Sequence, residues 1–365
     1  MSRRLFIAIA VIFLLALVVR FSDLFNTPRI AEAGGPTMGT SWSVKYVTNS
    51  TPDAEVLQGI KQSLVDVNQI FSTYIPDSEL MMLNKTPVGV PFTASPELFH
   101  LLEQAIHIST ISGGAYDVTV GALVNLWGFG SGSGFQREMP EQIGDNAQPA
   151  FAKWLEKGRV TSVPTPDAIA RALAETGYQS LILDRKNRTI TKSKPVFVDL
   201  SSIAKGYGVD QVARVLEQSG LTSYMVEVGG EVRLRGKKSG GEGWKIAIRE
   251  PVLESRVNTV VSLDNKGIAT SGDYLNYYEV EGVHFSHLID ARTGYPEKHR
   301  LASVAVVNYD TGLADAYATM FMILGEKAGI ELAREKNIDA YFIYHTDKGF
   351  TSRATGNFNR YVLDK

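Results

Sequence analysis

The chain of 365 residues contains no cysteine. Disulfide bonds, thiolate catalysis, Cys-X-X-Cys redox chemistry and cysteine-based zinc sites are therefore excluded, as is a lipid-modified N-terminal cysteine. A charge excess is also lacking, because the formal net charge is -2 and no basic run is present. Without a basic patch the chain lacks the electrostatic feature of nucleic-acid-binding proteins, and we expect no nucleic-acid partner.

Common nucleotide-binding motifs are missing as well. No Gly-X-Gly-X-X-Gly sequence follows a predicted strand, and Gly236-Lys237 lacks the rest of a P-loop. The apolar fraction of 44% and the charged fraction of 21% are typical of a globular protein with a sizeable core. A globular protein without the usual nucleotide motifs is therefore expected.

The N-terminus carries a long apolar run. Arg3 and Arg4 precede an uninterrupted apolar stretch at residues 5–19, which Arg20 closes. A basic start followed by such a run is typical of a secretory signal, although the run is shorter than the roughly 20 residues of a spanning helix. The Ala-Glu-Ala sequence at residues 31–33 offers a small-X-small cleavage site, but well beyond the run. A cleaved signal and an uncleaved anchor both remain open, with anchoring slightly favoured.

The rest of the chain, residues 34–365, is predicted to be a single large α+β domain, preceded by the hydrophobic segment and a linker at residues 1–33. Helices are predicted from apolar spacing and start signals at residues 54–71, 96–112 and 166–177. Strands are predicted at residues 40–47, 181–183, 196–200, 223–228, 244–249, 301–307 and 340–345. Several strands follow one another without a helix between them, which favours antiparallel sheets flanked by helices.

An anion site is predicted where the strand at residues 196–200 leads into a helix. Asp199 ends the strand, two serines follow, and Lys205 lies near the start of the helix. The backbone N–H groups and the positive dipole end of a helix start suit a phosphate group. The alternative is that Ser201 or Ser202 only caps the helix and that Lys205 is solvated.

A cation site is predicted on a second helix. Asp315 and Thr319 stand four residues apart and share one face of a helix that is expected to stop at Gly325. A carboxylate beside a hydroxyl suits a hard, oxygen-seeking cation such as Mg²⁺. The alternative is that Asp315 only complements the dipole of its own helix.

A general base is predicted in a third segment. His287 lies in an alternating strand, three residues before Asp290 and just ahead of a Gly-Tyr-Pro turn. Ser271, followed by Gly272, can present backbone to a ligand. A histidine with serine and aspartate nearby is a candidate general base, and Asp290 is the second candidate. The alternative is a structural histidine, which is the more common role of a lone histidine.

In combination and order, these segments resemble the ApbE family. The resemblance rests on T-M-G-T at 37–40, F-S-T-Y at 71–74 with S-E-L at 78–80 and Asn84, G-A-Y-D at 114–117 with L-W-G-F at 126–129, V-D-L at 198–200 with K-G-Y at 205–207, V-G-G at 228–230, T-S-G-D-Y at 270–274, S-H-L-I-D at 286–290, and Asp315 with Thr319. It covers nearly the whole chain after the N-terminal segment. It implies an architecture of the duplicated T-fold type and a bacterial, exported FAD:protein FMN transferase that modifies subunits of respiratory sodium-pumping or electron-transfer complexes.

The resemblance also implies roles for single residues. Contact with FAD is implied for Met38, Tyr74, Ala115, Tyr116, Asp117, Asp199, Lys205 and Ile289. Binding of Mg²⁺ is implied for Ser202, Asp315 and Thr319. Three positions depart from the family pattern: Ala318 stands where some relatives have an acid, Ser201-Ser202 where many have glycines, and Ala291 where proline is usual.

The sequence therefore predicts a Mg²⁺-dependent enzyme that splits FAD, releases AMP and attaches FMN to a Thr or Ser hydroxyl of another protein. Its expected location is the extracytoplasmic side of the bacterial inner membrane. Tyr74, Tyr116 and Trp127 are candidates to contact a ring of FAD, although each is equally explained as core. Two other functions remain open: a Mg²⁺-dependent FAD pyrophosphatase that gives FMN and AMP, and an exported flavin-binding protein.

Overall fold

The computed structural model describes residues 28–49, 54–131, 163–251, 256–273 and 277–363. The N-terminal apolar run lies outside these ranges, and within them no helix combines the length and apolar character needed to cross a bilayer. The helices are α1 (Ala54–Phe71), α2 (Glu79–Lys85), α3 (Pro96–Ile111), α4 (Gly121–Leu126), α5 (Pro166–Ala174), α6 (Ser201–Gln218) and α7 (Thr311–Glu335), with 3₁₀ turns at Tyr178–Ser180 and Phe358–Arg360. The strands are β1 (Arg29–Thr37), β2 (Thr40–Thr48), β3 (Phe92–Thr93), β4 (Leu181–Asp184), β5 (Thr189–Lys192), β6 (Tyr224–Val228), β7 (Glu231–Arg235), β8 (Lys245–Arg249), β9 (Val257–Ser262), β10 (Lys266–Gly272), β11 (Tyr277–Val280), β12 (Val283–Ser286), β13 (Ile289–Asp290), β14 (Tyr295–Pro296), β15 (Leu301–Asn308), β16 (Asp339–Thr346) and β17 (Gly349–Ala354).

An eight-stranded sheet forms the centre of the molecule. Its strand order is β1-β2-β6-β7-β10-β15-β16-β17, and every neighbouring pair is antiparallel. Smaller sheets are formed by β3-β5-β4, β8-β9, β11-β12 and β13-β14. This arrangement confirms the prediction of an α+β protein with antiparallel sheets. Strand β1 begins at Arg29, inside the segment that was predicted to be a linker.

Two helices cover one face of the large sheet. α6 packs on β6 and β7, α7 packs on β10 and β15, and the two helices pack on each other. Their close approach depends on Gly206 in α6, because a Cβ atom there would collide with the carbonyl oxygen of Thr311 at the start of α7. A separate apolar cluster, which includes Trp244, Val261 and Phe358, covers the other face. The helix crossing brings the start of α6 to the first turns of α7.

Most predicted elements are confirmed, with shifts of a few residues at their ends, but the strand predicted at residues 196–200 is wrong. Within this segment, only Phe197 pairs as a strand residue would, in an isolated β-bridge with Val120. The backbone of Val198 bonds instead to the side chain of Asn84, which donates to its carbonyl at 2.8 Å and accepts from its N–H at 2.7 Å. A side-chain amide therefore occupies the place that a neighbouring strand would take.

The break predicted at Gly325 for the helix that carries Asp315 is confirmed. Gly325 has φ 77° and ψ 176°, outside the helical region, yet α7 resumes and continues to Glu335. His299 packs against Gly325, and its Nε2 lies 2.6 Å from the carbonyl oxygen of Met322. Gly325 therefore interrupts the helix at the predicted position, and a second helical segment, which is included in α7, follows to Glu335.

Candidate functional site

The first turn of α6 is the centre of the site. The N-cap of this helix is Leu200, which makes no side-chain capping hydrogen bond. The Asp199 carboxylate accepts a hydrogen bond from the Ser201 N–H at 2.8 Å and another from the Ser201 hydroxyl. The interpretation of Ser201 or Ser202 as a plain helix cap is therefore wrong.

Ser202 joins this helix start to the loop that carries Tyr116. The Ser202 hydroxyl donates to the Tyr116 hydroxyl oxygen at 2.8 Å, and the Asp199 N–H donates to the Val118 carbonyl at 2.8 Å. Burial raises the pKa of Tyr116 well above its usual range, and the Asp315 carboxylate raises it further. The structure thus brings together three predicted residues: Tyr116, Asp199 and Ser202.

Lys205 lies between two buried carboxylates. Its Nζ is 3.2 Å from Glu231 Oε1 and 3.5 Å from Asp315 Oδ1. The other Asp315 oxygen accepts a hydrogen bond from the Gly206 N–H at 3.1 Å. The side chains of Glu231 and Asp315 are only 3% and 5% exposed. Lys205 is therefore not a solvated lysine, and Asp315 does not merely complement the dipole of its own helix.

The charges in this cluster balance one another. Burial raises the pKa of Glu231 and of Asp315, and the Lys205 ammonium acts against that rise. Burial alone would lower the pKa of Lys205, but the Asp315 and Glu231 carboxylates more than offset it, so this pKa is raised. Lys205 therefore keeps its positive charge at neutral pH. A fixed positive charge beside a helix start suits a phosphate group.

The orientation of α7 is fixed from its first turn. Asp310 caps the helix with its side chain. Asp210, which comes from α6, accepts hydrogen bonds from the N–H and the hydroxyl of Thr311, both at 2.7 Å. These bonds hold α7 so that Asp315 meets α6, and Thr319 follows one turn later on the same face.

Asp117 and Ala115 have partners within the chain. Asp117 accepts hydrogen bonds from the N–H and hydroxyl of Thr119 and from the N–H of Tyr178, at distances of 2.7 to 2.8 Å. The Ala115 carbonyl accepts from the Ala291 N–H at 3.2 Å. The bond to Ala291 joins the loop at residues 115–117 to the segment that follows β13, and the bond from Tyr178 joins it to the 3₁₀ turn at Tyr178–Ser180. Contact of the loop with FAD stays a prediction.

Met38, Tyr74 and Ser271 come from three separate elements. Met38 lies in the turn between β1 and β2 with φ 47°, and its side chain reaches α6 at Gly208. Tyr74 follows α1 and is 63% exposed. Ser271 lies in β10. Of these three, Tyr74 offers an exposed aromatic ring to a ligand.

The other two aromatic candidates belong to the core. Trp127 is completely buried, and its indole N–H donates to the Gly294 carbonyl at 2.8 Å. Its ring packs against Phe285 with centroids 5.5 Å apart. Tyr116 is 2% exposed and bonds to Ser202. The structure therefore favours the core interpretation of both rings.

The predicted base and its neighbours lie beside α7. Strand β13, which contains Ile289 and Asp290, packs against this helix. The guanidinium of Arg292 holds the Asp290 carboxylate in a bidentate ion pair, with Nη2 at 2.6 Å and Nε at 3.0 Å. His287 contacts the ring of Phe129 edge-on, with centroids 6.3 Å apart. Arg292 thus engages the Asp290 carboxylate, and the choice of His287 or Asp290 as general base stays a prediction.

The predicted metal ligands are oxygen donors of the kind that Mg²⁺ prefers. Mg²⁺ binds one or two carboxylates and keeps its other positions for water and phosphate. Within the ranges described, no three His, Cys, Asp or Glu side chains form a metal-binding group. The set Ser202, Asp315 and Thr319 has a single carboxylate, and Ala318, which is fully buried, adds no ligand side chain. The donor chemistry fits Mg²⁺ with Asp315 as the charged ligand.

Comparison with known proteins identifies the family. A model of the ApbE family matches residues 38–342. The chain belongs to the ApbE family. A relative of this ApbE-family chain, the FAD:protein FMN transferase of Haemophilus influenzae, is 39% identical over 346 residues, which cover 92% of this chain and 93% of that protein.

Solved ApbE structures share the fold. The flavin transferase ApbE from Vibrio cholerae matches with a TM-score of 0.77 and 36% identity, over 92% of this chain and 99% of that chain. The apo form of Pseudomonas stutzeri flavinyl transferase ApbE also gives a TM-score of 0.77, with 34% identity over 92% of this chain and 97% of that chain. The predicted family and its mixed antiparallel fold are confirmed.

Glu231 belongs to the site but was not predicted. It opens β7 directly after the Gly229-Gly230 turn and is 2% exposed. Alternation along E-V-R-L-R assigns Glu231 to the same face as Arg233 and Arg235, and charged residues are rarely buried unless they are paired. The alternation therefore does not predict the burial of Glu231, because its partner Lys205 lies in another element, α6.

Proposed function

We propose that this chain transfers the FMN half of FAD to a Thr or Ser hydroxyl of a target protein and releases AMP. One observation carries the proposal: the Lys205–Asp315 pair lies at the first turn of α6, in a chain of the ApbE family. An ammonium group and a carboxylate in one place near a helix start suit a pyrophosphate and its counter-ion. The relatives named FAD:protein FMN transferase support flavin as the group transferred and a protein as the acceptor.

The proposed reaction is a displacement at one phosphorus of FAD. The acceptor oxygen forms a bond to the phosphorus of the FMN half, and the bond from that phosphorus to the bridging oxygen breaks. AMP leaves with the bridging oxygen and the bonding electron pair. The Lys205 ammonium stabilises the negative phosphate oxygens. We assign the acceptor's hydroxyl proton to His287, with Asp290 as the second candidate.

Ser202, Asp315 and Thr319 would hold Mg²⁺. Bound there, Mg²⁺ would neutralise pyrophosphate charge and steady the leaving group. The chain prepares these ligands through its own contacts: Tyr116 accepts a hydrogen bond from Ser202 at 2.8 Å, and the Gly206 N–H holds one oxygen of Asp315 at 3.1 Å. Pre-organised ligands of this kind lose little freedom when a cation binds.

We extend the proposal to location and partner. The arginines at residues 3–4 and the apolar run at residues 5–19 favour export. The catalytic body would then lie on the extracytoplasmic side of the bacterial inner membrane, held there by an uncleaved anchor. The proposed acceptor is a subunit of a respiratory sodium-pumping or electron-transfer complex that carries a Thr or Ser flavinylation site.

Intact-mass spectrometry of a candidate acceptor domain tests the proposed function. The full-length chain is incubated with the acceptor, FAD and MgCl₂. The proposal expects the acceptor to gain the mass of one FMN, and expects the gain to vanish with a chelator or with Asp315→Ala. Free FMN and AMP beside an unmodified acceptor would identify an FAD pyrophosphatase instead. FAD that stays bound and intact with every acceptor would identify a flavin-binding protein.

A further inference from the structure

Glu231 is a buried carboxylate beside Lys205, and the proposed reaction gives it no role. It follows the Gly229-Gly230 turn, whose residues have φ 60° and 104°. One of its oxygens is 3.2 Å from the Lys205 ammonium. The other oxygen is buried and has no hydrogen-bond partner in the part of the chain that the structure describes. A buried charge of this kind is costly, so its retention calls for a physical reason.

Glu231 and Asp315 share the ammonium group of Lys205. That ammonium is closer to Glu231, at 3.2 Å, than to Asp315, at 3.5 Å. The side chain of Lys205 runs along the turn, where a Cβ atom at Gly229 would lie 3.1 Å from its Cδ. Without the Glu231 charge, the ammonium would be drawn to Asp315 alone.

We propose that Glu231 is a positioning residue that draws the Lys205 ammonium away from Asp315 and so keeps the Asp315 carboxylate able to bind a divalent cation. The inference rests on the proposed function, which assigns that cation to Asp315. An ammonium paired only with Asp315 would compete with the cation for the same oxygens.

A purely structural role for Glu231 gives a different expectation. The ion pair would then only fasten β7 to α6, and its loss would lower the stability of the chain while the folded protein kept its cation affinity. Cation affinity, measured on folded protein without turnover, therefore separates the two roles.

The test is a titration of the full-length chain with Mn²⁺, followed by electron paramagnetic resonance of the unbound ion. Mn²⁺ accepts the same oxygen ligands as Mg²⁺. Glu231→Gln keeps the shape of the side chain and removes its charge, and we expect it to weaken Mn²⁺ binding about tenfold, as is typical when a group that orients a ligand is changed. Glu231→Asp, which keeps the charge, should recover part of the loss.

Glu227→Gln is the matched control. Glu227 lies on the same hairpin, where it accepts hydrogen bonds from the Gly230 N–H at 2.8 Å and the Ser43 hydroxyl at 3.2 Å. It reports any effect of disturbing the turn, and its Mn²⁺ affinity should equal that of the unchanged chain. Thermal unfolding without metal checks that each variant is folded. If Glu231→Gln does not fold, Glu231→Asp carries the test, with an intermediate loss expected.

The outcomes separate this inference from the proposed function. If the unchanged chain binds Mn²⁺, Asp315→Asn abolishes binding and a folded Glu231 variant binds as well as the unchanged chain, the inference is overturned and the metal assignment stands. If Asp315→Asn leaves Mn²⁺ binding unchanged, the metal assignment fails and the inference fails with it. Weaker binding in Glu231→Gln alone, with Glu227→Gln unaffected, supports the inference.

Discussion

At the scale of single residues, the site balances one ammonium against two carboxylates that are almost completely removed from water. The free-energy cost of removing charged groups from water is offset only when each charge keeps an oppositely charged partner. The Lys205 side chain, which is 31% exposed, supplies that partner to both Glu231 and Asp315. The cluster is therefore sensitive to changes that alter charge without altering shape.

Lys205→Met tests this balance. The variant leaves two buried carboxylates without a positive partner, so we expect the free energy of unfolding at neutral pH to fall by about 3 kcal/mol. Urea denaturation followed by circular dichroism measures the change. Lys45→Met is the control, because Lys45 pairs with Glu32 at the surface, where the two side chains are 40% and 60% exposed, and such pairs contribute about 1 kcal/mol or less. Equal losses in the two variants would contradict the account.

Glu297 gives the chain a pH-dependent stability. Its carboxylate accepts a hydrogen bond from the Ser286 hydroxyl, and burial raises the pKa of Glu297 from its usual 4.5 to about 8. The folded chain thus binds this proton more tightly than the unfolded chain does. The stabilising effect is complete below the usual pKa and is lost as the pH rises through about 8. The free energy of unfolding should fall over this window.

Glu297→Gln removes this pH dependence, because the amide mimics the protonated acid and still accepts from Ser286. We expect the variant to match the unchanged chain below about pH 4.5 and to be about 5 kcal/mol more stable above about pH 8, because each unit of pKa difference is worth about 1.36 kcal/mol. Denaturation curves across this range measure the difference. Glu279→Gln, at an exposed position of β11, should show no such trend. A constant offset of Glu297→Gln at every pH would refute the assignment.

At the scale of elements, the crossing of α6 and α7 assembles the site, and it depends on a missing side chain. Gly206→Ala would place a Cβ atom against the Thr311 carbonyl and 2.8 Å from the Gly312 Cα, where only backbone could give way. We expect a loss of about 2 kcal/mol in the free energy of unfolding, because overpacking forces backbone shifts. Gly240→Ala, where a Cβ atom meets nothing within 4 Å, should be close to neutral. Thermal melts that rank the two variants in the reverse order would contradict this description.

Much of this element-scale picture could be predicted from sequence, because its signals are local. The apolar spacing of α1 and the Ser95-Pro96 start of α3 are read within one turn of helix. The segment at residues 196–200 could not be read correctly, since its partner is the Asn84 side chain more than a hundred residues away. The helix break at Gly325, by contrast, is a local signal and was predicted correctly.

At the scale of the whole molecule, the fold class could be predicted but the strand order could not. Consecutive strands without intervening helices indicated antiparallel sheets. The order depends on pairings such as Trp42 with Val228, which join β2 to β6 across about half the length of the chain. Alternation shows which face of a strand is buried and does not name the neighbouring strand. Glu231 was missed because alternation along β7 does not show its pairing with Lys205, while Lys205 and Asp315 were predicted from their positions on helices and Ser202 from the resemblance.

The central claim is that FAD and its cation meet at the junction of α6 and α7. Diffraction from crystals of the chain grown with FAD and Mn²⁺, recorded at the manganese absorption edge, tests it most directly. The account predicts an anomalous peak beside Asp315 and Thr319, with the pyrophosphate at the first turn of α6 next to Lys205. A peak elsewhere, or a pyrophosphate bound away from Lys205, would contradict the account.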